Sequence, residues 1–251
     1  MSWLHAVLDV PEAHQSAAAD FWGAATGWPV GEPWPGHPGL RSLTPPAGAP
    51  YVHLQRTGSG TAGVHLDVES PDPRARVEAA LAAGATSVAV HPRWHTLRSP
   101  GGLPFCVLAA APHESPEPLE LDDGHRVRLV QVCLDSPADR HEAEVAFWRE
   151  LLGEHWYDAR SPEFAGKWHD GRGSPLQLLF QRLETSEGRV RAHLDLGTDD
   201  LDAEAGRLLA LGAHDVDDRS ERGWHVLRDP GGAVFCVTAN DPAQRQERDL
   251  G

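Results

Sequence analysis

Two stretches of the chain set a histidine two residues before an aspartate: His65-Leu66-Asp67-Val68 and, 128 residues later (65 to 193), His193-Leu194-Asp195-Leu196. Side chains two apart on a strand point to one face, so each pair offers a nitrogen and an oxygen donor to the same space. Neutral imidazole suits Zn, Fe, Ni or Cu, and an imidazole beside a carboxylate can also move protons as a general acid and base. His5, His53 and Gln55 stand at alternating positions of two other apolar segments. A hydrogen-bonded histidine that anchors a sheet gives the same pattern. Because the pair recurs in both halves, that structural role stands open beside the ligand role. No single acid/base pair stands out among the carboxylates and histidines.

The text around these pairs repeats as well. Ala83-Gly84-Ala85 answers Leu211-Gly212-Ala213, residues 94–102 answer 224–232 with Trp-His, Leu-Arg and Pro-Gly-Gly in common, and Phe105-Cys106-Val107 answers Phe235-Cys236-Val237. Solenoid repeats run at roughly 20–50 residues, so a period this long means tandem domains. The length of 251 residues fits two domains, at about 150 residues each as a prior. A Pro- and Glu-rich run over residues 112–125 marks the boundary. The expected divisions are an N-terminal domain over 1–111, a linker over 112–126, a C-terminal domain over 127–240 and a polar tail over 241–251.

Local signals place the donors on strands. Residues 4–10 alternate, with Leu4, Ala6, Leu8 and Val10 on one face and His5 on the other. Pro11 opens a helix that Gly27 stops. Residues 28–49 are Pro- and Gly-rich loop with a short strand near 40–43; Trp28 and Trp34 there either line a pocket or pin the loop onto the core. Residues 51–56 and 64–68 are strands that carry His53 and Gln55, then His65 and Asp67, opposite their apolar faces. Asp72 caps a second helix that ends at Gly84, and strands follow at 86–90, 94–97 and 105–109. In the second half, residues 128–135 form a strand with Gln131 at the position of His5. Helices at 138–152 and 200–211 and strands at 176–182, from His193, and around Trp224 and Cys236 complete the copy. Gly58-Ser59-Gly60 and Gly171-Arg172-Gly173 read as turns. Each half is β-α-β-β then β-α-β-β-β. One helix per module covers one sheet face, so the polar face is either solvated or lines a ligand cleft.

Composition removes several function classes. The net charge of −15 disfavours nucleic acid and anionic membrane as partners. Three cysteines suit no disulfide framework, and no apolar run approaches the length of a membrane span or a leader. A soluble, cytoplasmic protein is expected. No nucleophile elbow, phosphate loop or dinucleotide fingerprint is present.

The tandem module, the histidine that opens a strand followed by an Ala/Asp-rich helix ending in Gly-Ala, and the Asp-Pro-Gly-Gly-x-x-Phe-Cys-Val ending together resemble the vicinal oxygen chelate superfamily. Its members include glyoxalase I, bleomycin-resistance proteins and extradiol dioxygenases; more narrowly, the chain is similar to tandem glyoxalase-like proteins of the actinobacterial type. The resemblance covers nearly the whole chain. It implies an α+β fold of two tandem glyoxalase-like domains, each of paired βαβββ modules around a concave mixed sheet. It also implies metal ligands at His5, His53 (or Gln55), His65 and Cys106, holding one divalent ion such as Zn, Ni, Fe or Mn that chelates neighbouring substrate oxygens. The last position is glutamate in most active members. Cys106 could bind zinc as a thiolate, or be a small buried thiol. The matching second-half positions, Gln131, Leu179, His193 and Cys236, contain one strong ligand, so no metal is expected there. His95 and His225 read as structural.

Two functions follow from the resemblance. One is a protein that binds a small planar or oxygen-rich molecule in a cleft without metal, through Trp28, Trp34, Gln55, Asp67, Gln131 and His193. The nine tryptophans favour stacking on a planar ligand. The other is a metal-dependent lyase, isomerase or dioxygenase that uses the N-terminal half. A tandem chain can complete its own cleft, so either a monomer or a homodimer is compatible.

Overall fold

A computed structural model describes residues 3–58, 60–153, 155–159, 161–169 and 174–244. Ser59 of the first expected turn, the whole Gly171-Arg172-Gly173 turn and the end of the expected tail (245–251) lie outside the described residues. Among the described residues, no helix is long and apolar enough to cross a membrane.

The first repeat runs β1 (Leu4–Pro11), α1 (Gln15–Thr26), β2 (Leu40–Ser42), β3 (Val52–Thr57), β4 (Gly63–Ser70), α2 (Pro73–Ala82), β5 (Thr86–Val90), β6 (Trp94–Arg98) and β7 (Pro104–Ala109). The second runs β8 (Leu119–Glu120), β9 (Arg126–Ser136), α3 (His141–Leu152), β10 (Trp156–Asp158), β11 (Phe164–Trp168), β12 (Gln177–Arg182), β13 (Arg191–Thr198), α4 (Leu201–Ala210), β14 (His214–Arg219), β15 (Trp224–Arg228) and β16 (Val234–Thr238). The expected Asp72 cap is in place, and Asp200, read only as the start of a helix, caps in the same way. Asp72 Oδ1 accepts from Ala75 N and Asp200 Oδ1 from Ala203 N, both at 3.0 Å, so α2 and α4 start alike. Gly27 ends α1 at φ 69°.

Four strands, β8, β10, β11 and β14, fall where the sequence reading placed none. β8 lies inside the segment read as linker; its two residues pair with Val127 and Arg126 of β9, so its partner sets it rather than its own pattern. β10 and β11 form a hairpin whose close approach needs Gly166: its φ is 156°, and a Cβ there would stand 2.8 Å from the Trp156 ring and 2.6 Å from the Tyr157 carbonyl.

By compactness the chain divides into unit 1 (residues 1–8, 63–113 and 132–193) and unit 2 (residues 9–62, 114–131 and 194–251), with the divisions falling inside β1, β9 and β13. Unit 1 contains the strand orders β1-β4-β7-β6-β5 and β10-β11-β12-β9. Its helices α2 and α3 touch each other, and α2 lies on β4 and β7. Phe105 of β7 meets Phe147 and Trp148 of α3 edge-on at 5.8 and 5.2 Å. Unit 2 contains the orders β2-β3-β1 and β9-β13-β16-β15-β14, with β8 on β9. There Phe235 of β16 packs on Phe21 and Trp22 of α1 at 5.6 and 5.1 Å. Arg207 of α4 donates to the Ala24 and Ala25 carbonyls at 3.2 and 2.7 Å and so caps the end of α1. Each tryptophan-bearing helix therefore packs on the last strand of the other repeat. Phe105 and Phe235 are fully buried, and burying each contributes about 1.5–3 kcal/mol.

Each buried indole also needs an acceptor. Trp148 Nε1 donates to Glu144 Oε1 at 2.8 Å, and Gly101 N donates to the other oxygen at 2.8 Å. Trp22 Nε1 donates to Asp229 Oδ2 at 2.6 Å, and Ala233 N to Oδ1 at 2.8 Å. The acceptor comes from the helix in unit 1 and from a turn in unit 2. Burial pushes both carboxyls above their ordinary range, against the hydrogen bonds that favour the charge.

Candidate functional site

Alternation along β1 and β4 puts His5 opposite Leu4 and Ala6, and His65, Asp67 and Glu69 opposite Leu66 and Val68. This polar face is not simply solvated: His5, His65 and Glu69 are 7%, 8% and 3% exposed. Buried polar groups need partners, and in unit 1 they find them in separate clusters.

The first cluster is His65, Asp67 and Cys106, whose ligand atoms all lie within 4.8 Å of one another. The parallel pairing of β4 with β7 sets Asp67 beside Cys106. His65 Nε2 stands 3.7 Å from Asp67 Oδ1, too far for a hydrogen bond. That oxygen is buried and has no hydrogen-bond partner among the described residues. Thr96 Oγ1 lies 3.5 Å from the Cys106 sulfur. Burial raises the thiol's pKa, helped by the Asp67 charge and opposed by hydrogen bonds from His65 and Thr96.

The second cluster is His5, Glu69 and His113. His5 Nε2 and His113 Nε2 lie 3.0 and 2.7 Å from the same oxygen, Glu69 Oε1. Ala111 N donates to the other, Oε2, at 3.0 Å. Trp3 covers the His113 ring, with centroids 4.5 Å apart. Burial pushes the Glu69 carboxyl up, but the hydrogen bonds from His5, Ala111 and His113 outweigh it, and its pKa ends below the ordinary value.

A third cluster, Cys133, Asp135 and His193, belongs to the second repeat. His193 Nδ1 and Asp135 Oδ2 are hydrogen-bonded at 3.0 Å, and the Cys133 thiol reaches Gln181 Oε1 at 3.7 Å.

Unit 2 holds most of the remaining expected residues. His53 Nδ1 is 3.0 Å from Ser42 Oγ, which also accepts from Trp34 Nε1 at 3.0 Å; the Trp34 ring meets His53 edge-on at 5.2 Å. Gln55 Nε2 donates to Asp9 Oδ1 at 3.0 Å. Trp28 is buried edge-on against Tyr51, pinning its loop on the core. Tyr51 donates to the Leu129 carbonyl at 2.6 Å, and burial holds its hydroxyl far above the usual phenol range. Gln131 Nε2 donates to Asp195 Oδ2, and Asp195 pairs in register with Cys236, as Asp67 does with Cys106. In unit 1, His95 meets Ser87 Oγ at 2.8 Å; in unit 2, His225 meets Asp218 Oδ1 at 3.2 Å.

Of the ligand set that the resemblance implies, the structure brings His65 and Cys106 together and adds Asp67. It places His5 in the second cluster and His53 beside Ser42 and Trp34. Sequence reasoning missed Glu69, His113, Cys133 and Asp135. Glu69 carries on the alternation of His65 and Asp67, and Asp135 that of Gln131 and Cys133, so both were within reach of the parity argument. His113 sits in a Pro-rich stretch with no such signal.

The geometry can be set beside known proteins. The family model described as a glyoxalase-like domain matches residues 5–108 and again 131–238. A search of curated proteins finds no match. Among solved structures, a Mn(II)-bound glyoxalase from Novosphingobium aromaticivorans aligns with a TM-score of 0.64 at 18% identity, over 95% of this chain and 83% of that one. The 2,2',3-trihydroxybiphenyl 1,2-dioxygenase from Sphingomonas wittichii aligns at 0.60 and 14%, over 93% and 90%. Homoprotocatechuate 2,3-dioxygenase from Brevibacterium fuscum aligns at 0.57 and 14%, over 93% and 78%. At these identities the likeness is one of fold.

Proposed function

Because the chain belongs to the glyoxalase-like domain family of the vicinal oxygen chelate superfamily, we propose that it binds a small oxygen-rich molecule through a divalent metal ion held by His65, Asp67 and Cys106. The observation that carries this reading is Asp67 Oδ1, a buried carboxylate oxygen with no hydrogen-bond partner among the described residues, next to an imidazole and a thiol. Leaving such an oxygen unpaired costs about 1–3 kcal/mol or more, and a cation removes that cost. The mixed N, O and S donors fit zinc, and three protein ligands leave a position open. A bound ion there supplies a Lewis acid that polarises a ligand oxygen. Thr96 holds the sulfur, and the low exposure of His65 and Cys106 keeps bulk water from competing.

Acetohydroxamate, with two adjacent oxygens, is a suitable probe. Zinc-loaded protein should bind it, metal-free protein should not, and Cys106→Ser should weaken binding at least tenfold. Equal binding with and without zinc would overturn the proposal. It would favour a second reading, metal-free capture of a planar molecule, whose support is Trp34, partly exposed and edge-on to His53.

A further inference from the structure

We propose that His5, Glu69 and His113 form a second, independent divalent-cation site, in which the ion fastens the segment after β7 to strand β4. The site shares no residue with the His65 cluster.

Two imidazoles from distant parts of the chain aim their Nε2 atoms at one carboxylate oxygen, at 3.0 and 2.7 Å, with their ring centroids 5.8 Å apart and the rings nearly perpendicular. Zinc–nitrogen and zinc–oxygen bonds of about 2.0–2.2 Å set neighbouring tetrahedral donors about 3.3–3.5 Å apart. An opening of roughly half an ångström therefore admits the ion, in place of the two hydrogen bonds. The outer contacts already orient the donors. Ala111 N holds Glu69 Oε2, which leaves Oε1 as a single inward ligand, and Trp3 lies on the His113 ring. Contacts of this kind fix ligand orientation in metal sites. The Cys133 cluster lacks this convergence, since it has one imidazole, already hydrogen-bonded to Asp135.

Glu69 and His113 lie outside the ligand set that the family resemblance implies. The site also cannot merge with the His65 cluster into a paired-metal centre. Asp67 and Glu69 are two residues apart on one face of β4, about 7 Å along the strand, whereas paired ions stand about 3.5–4 Å apart. The donors differ too: a thiol belongs to the first cluster, imidazoles and a carboxylate alone to the second.

Cobalt(II) titration of the full chain, stripped of metal with chelator, reads both sites. A thiolate-to-cobalt charge-transfer band reports Cys106, and a second equivalent without that band reports His5, Glu69 and His113. His113→Ala and, as a check against misfolding, Glu69→Gln should each weaken the second equivalent at least tenfold and leave the charge-transfer band unchanged. Cobalt should also slow amide exchange across residues 109–114 in the wild type and not in His113→Ala. One equivalent without the band, lost in His113→Ala, would support this site while sinking the proposed function. The same stoichiometry in wild type and both variants would overturn it, reducing the cluster to a hydrogen-bonded clasp, as would a failure to bind cobalt.

Discussion

In the first repeat, Asp67 stands beside Cys106 in the parallel pairing of β4 and β7, and His5, on the neighbouring strand, bonds to Glu69 instead. In the second repeat, Asp195 stands beside Cys236 in the same register of β13 and β16 and accepts the amide of Gln131. The histidines part in the same way. His65 lies 3.7 Å from Asp67, out of hydrogen-bond range, whereas His193 is bonded to Asp135 at 3.0 Å. One fold thus carries two versions of a polar strand. In the second, Gln131 at the repeat position of His5 donates to the aspartate and Asp135 holds the histidine. In the first, His65 and Thr96 bond to the Cys106 thiol. A buried carboxylate without a donating amide is the arrangement that a cation relieves.

The two repeats should differ most in metal binding. His65→Ala should weaken the thiolate-bearing site about 100-fold or more, while His193→Ala should change it by less than about twofold; the cobalt charge-transfer band measures both. Equal losses would mean that the repeats do not differ in function. A smaller difference is expected in metal-free protein. Gln131→Ala strips a buried carboxylate of its donor and should cost about 1–3 kcal/mol in urea unfolding. Asp67→Asn, which removes a charge with an unpaired oxygen, should stay within about 0.5 kcal/mol of wild type or stabilise.

The smallest effect concerns the two tryptophan acceptors, helix-borne Glu144 in unit 1 and turn-borne Asp229 in unit 2. Burial raises both carboxyl pKa values. The folded state therefore holds these protons at pH values where the unfolded chain has released them. Their contribution to stability is full below the ordinary carboxyl range and is lost as pH rises through the raised values. Unfolding free energy measured from weakly acid to neutral pH should fall across that window. Glu144→Gln and Asp229→Asn should each flatten the fall, and an unchanged slope in both would contradict the assignment.

Much of this was legible in the sequence, because it follows from local periodicity. The strands bearing His5, His53, His65 and Gln131, the Asp72 cap and the Gly27 stop depend on residues near one another in the chain. The α+β class and the doubled module followed from the repeat. Contacts between distant segments were not legible. Nothing near Trp22 announces Asp229, 207 residues away. Nothing in a Pro-rich stretch announces that His113 meets Glu69. The exchange of α1 and α3 between repeats is equally silent, since Phe105 and Phe235 sit in matching text and each would suit either helix.

The central claim, a cation held by His65, Asp67 and Cys106, is tested most directly by anomalous diffraction at the zinc edge from crystals of the zinc-loaded protein. The account predicts a peak bonded to His65 Nε2, Asp67 Oδ1 and Cys106 Sγ, with zinc–sulfur near about 2.3 Å and zinc–nitrogen near about 2.0–2.1 Å. No peak among those three atoms at saturating zinc would contradict it.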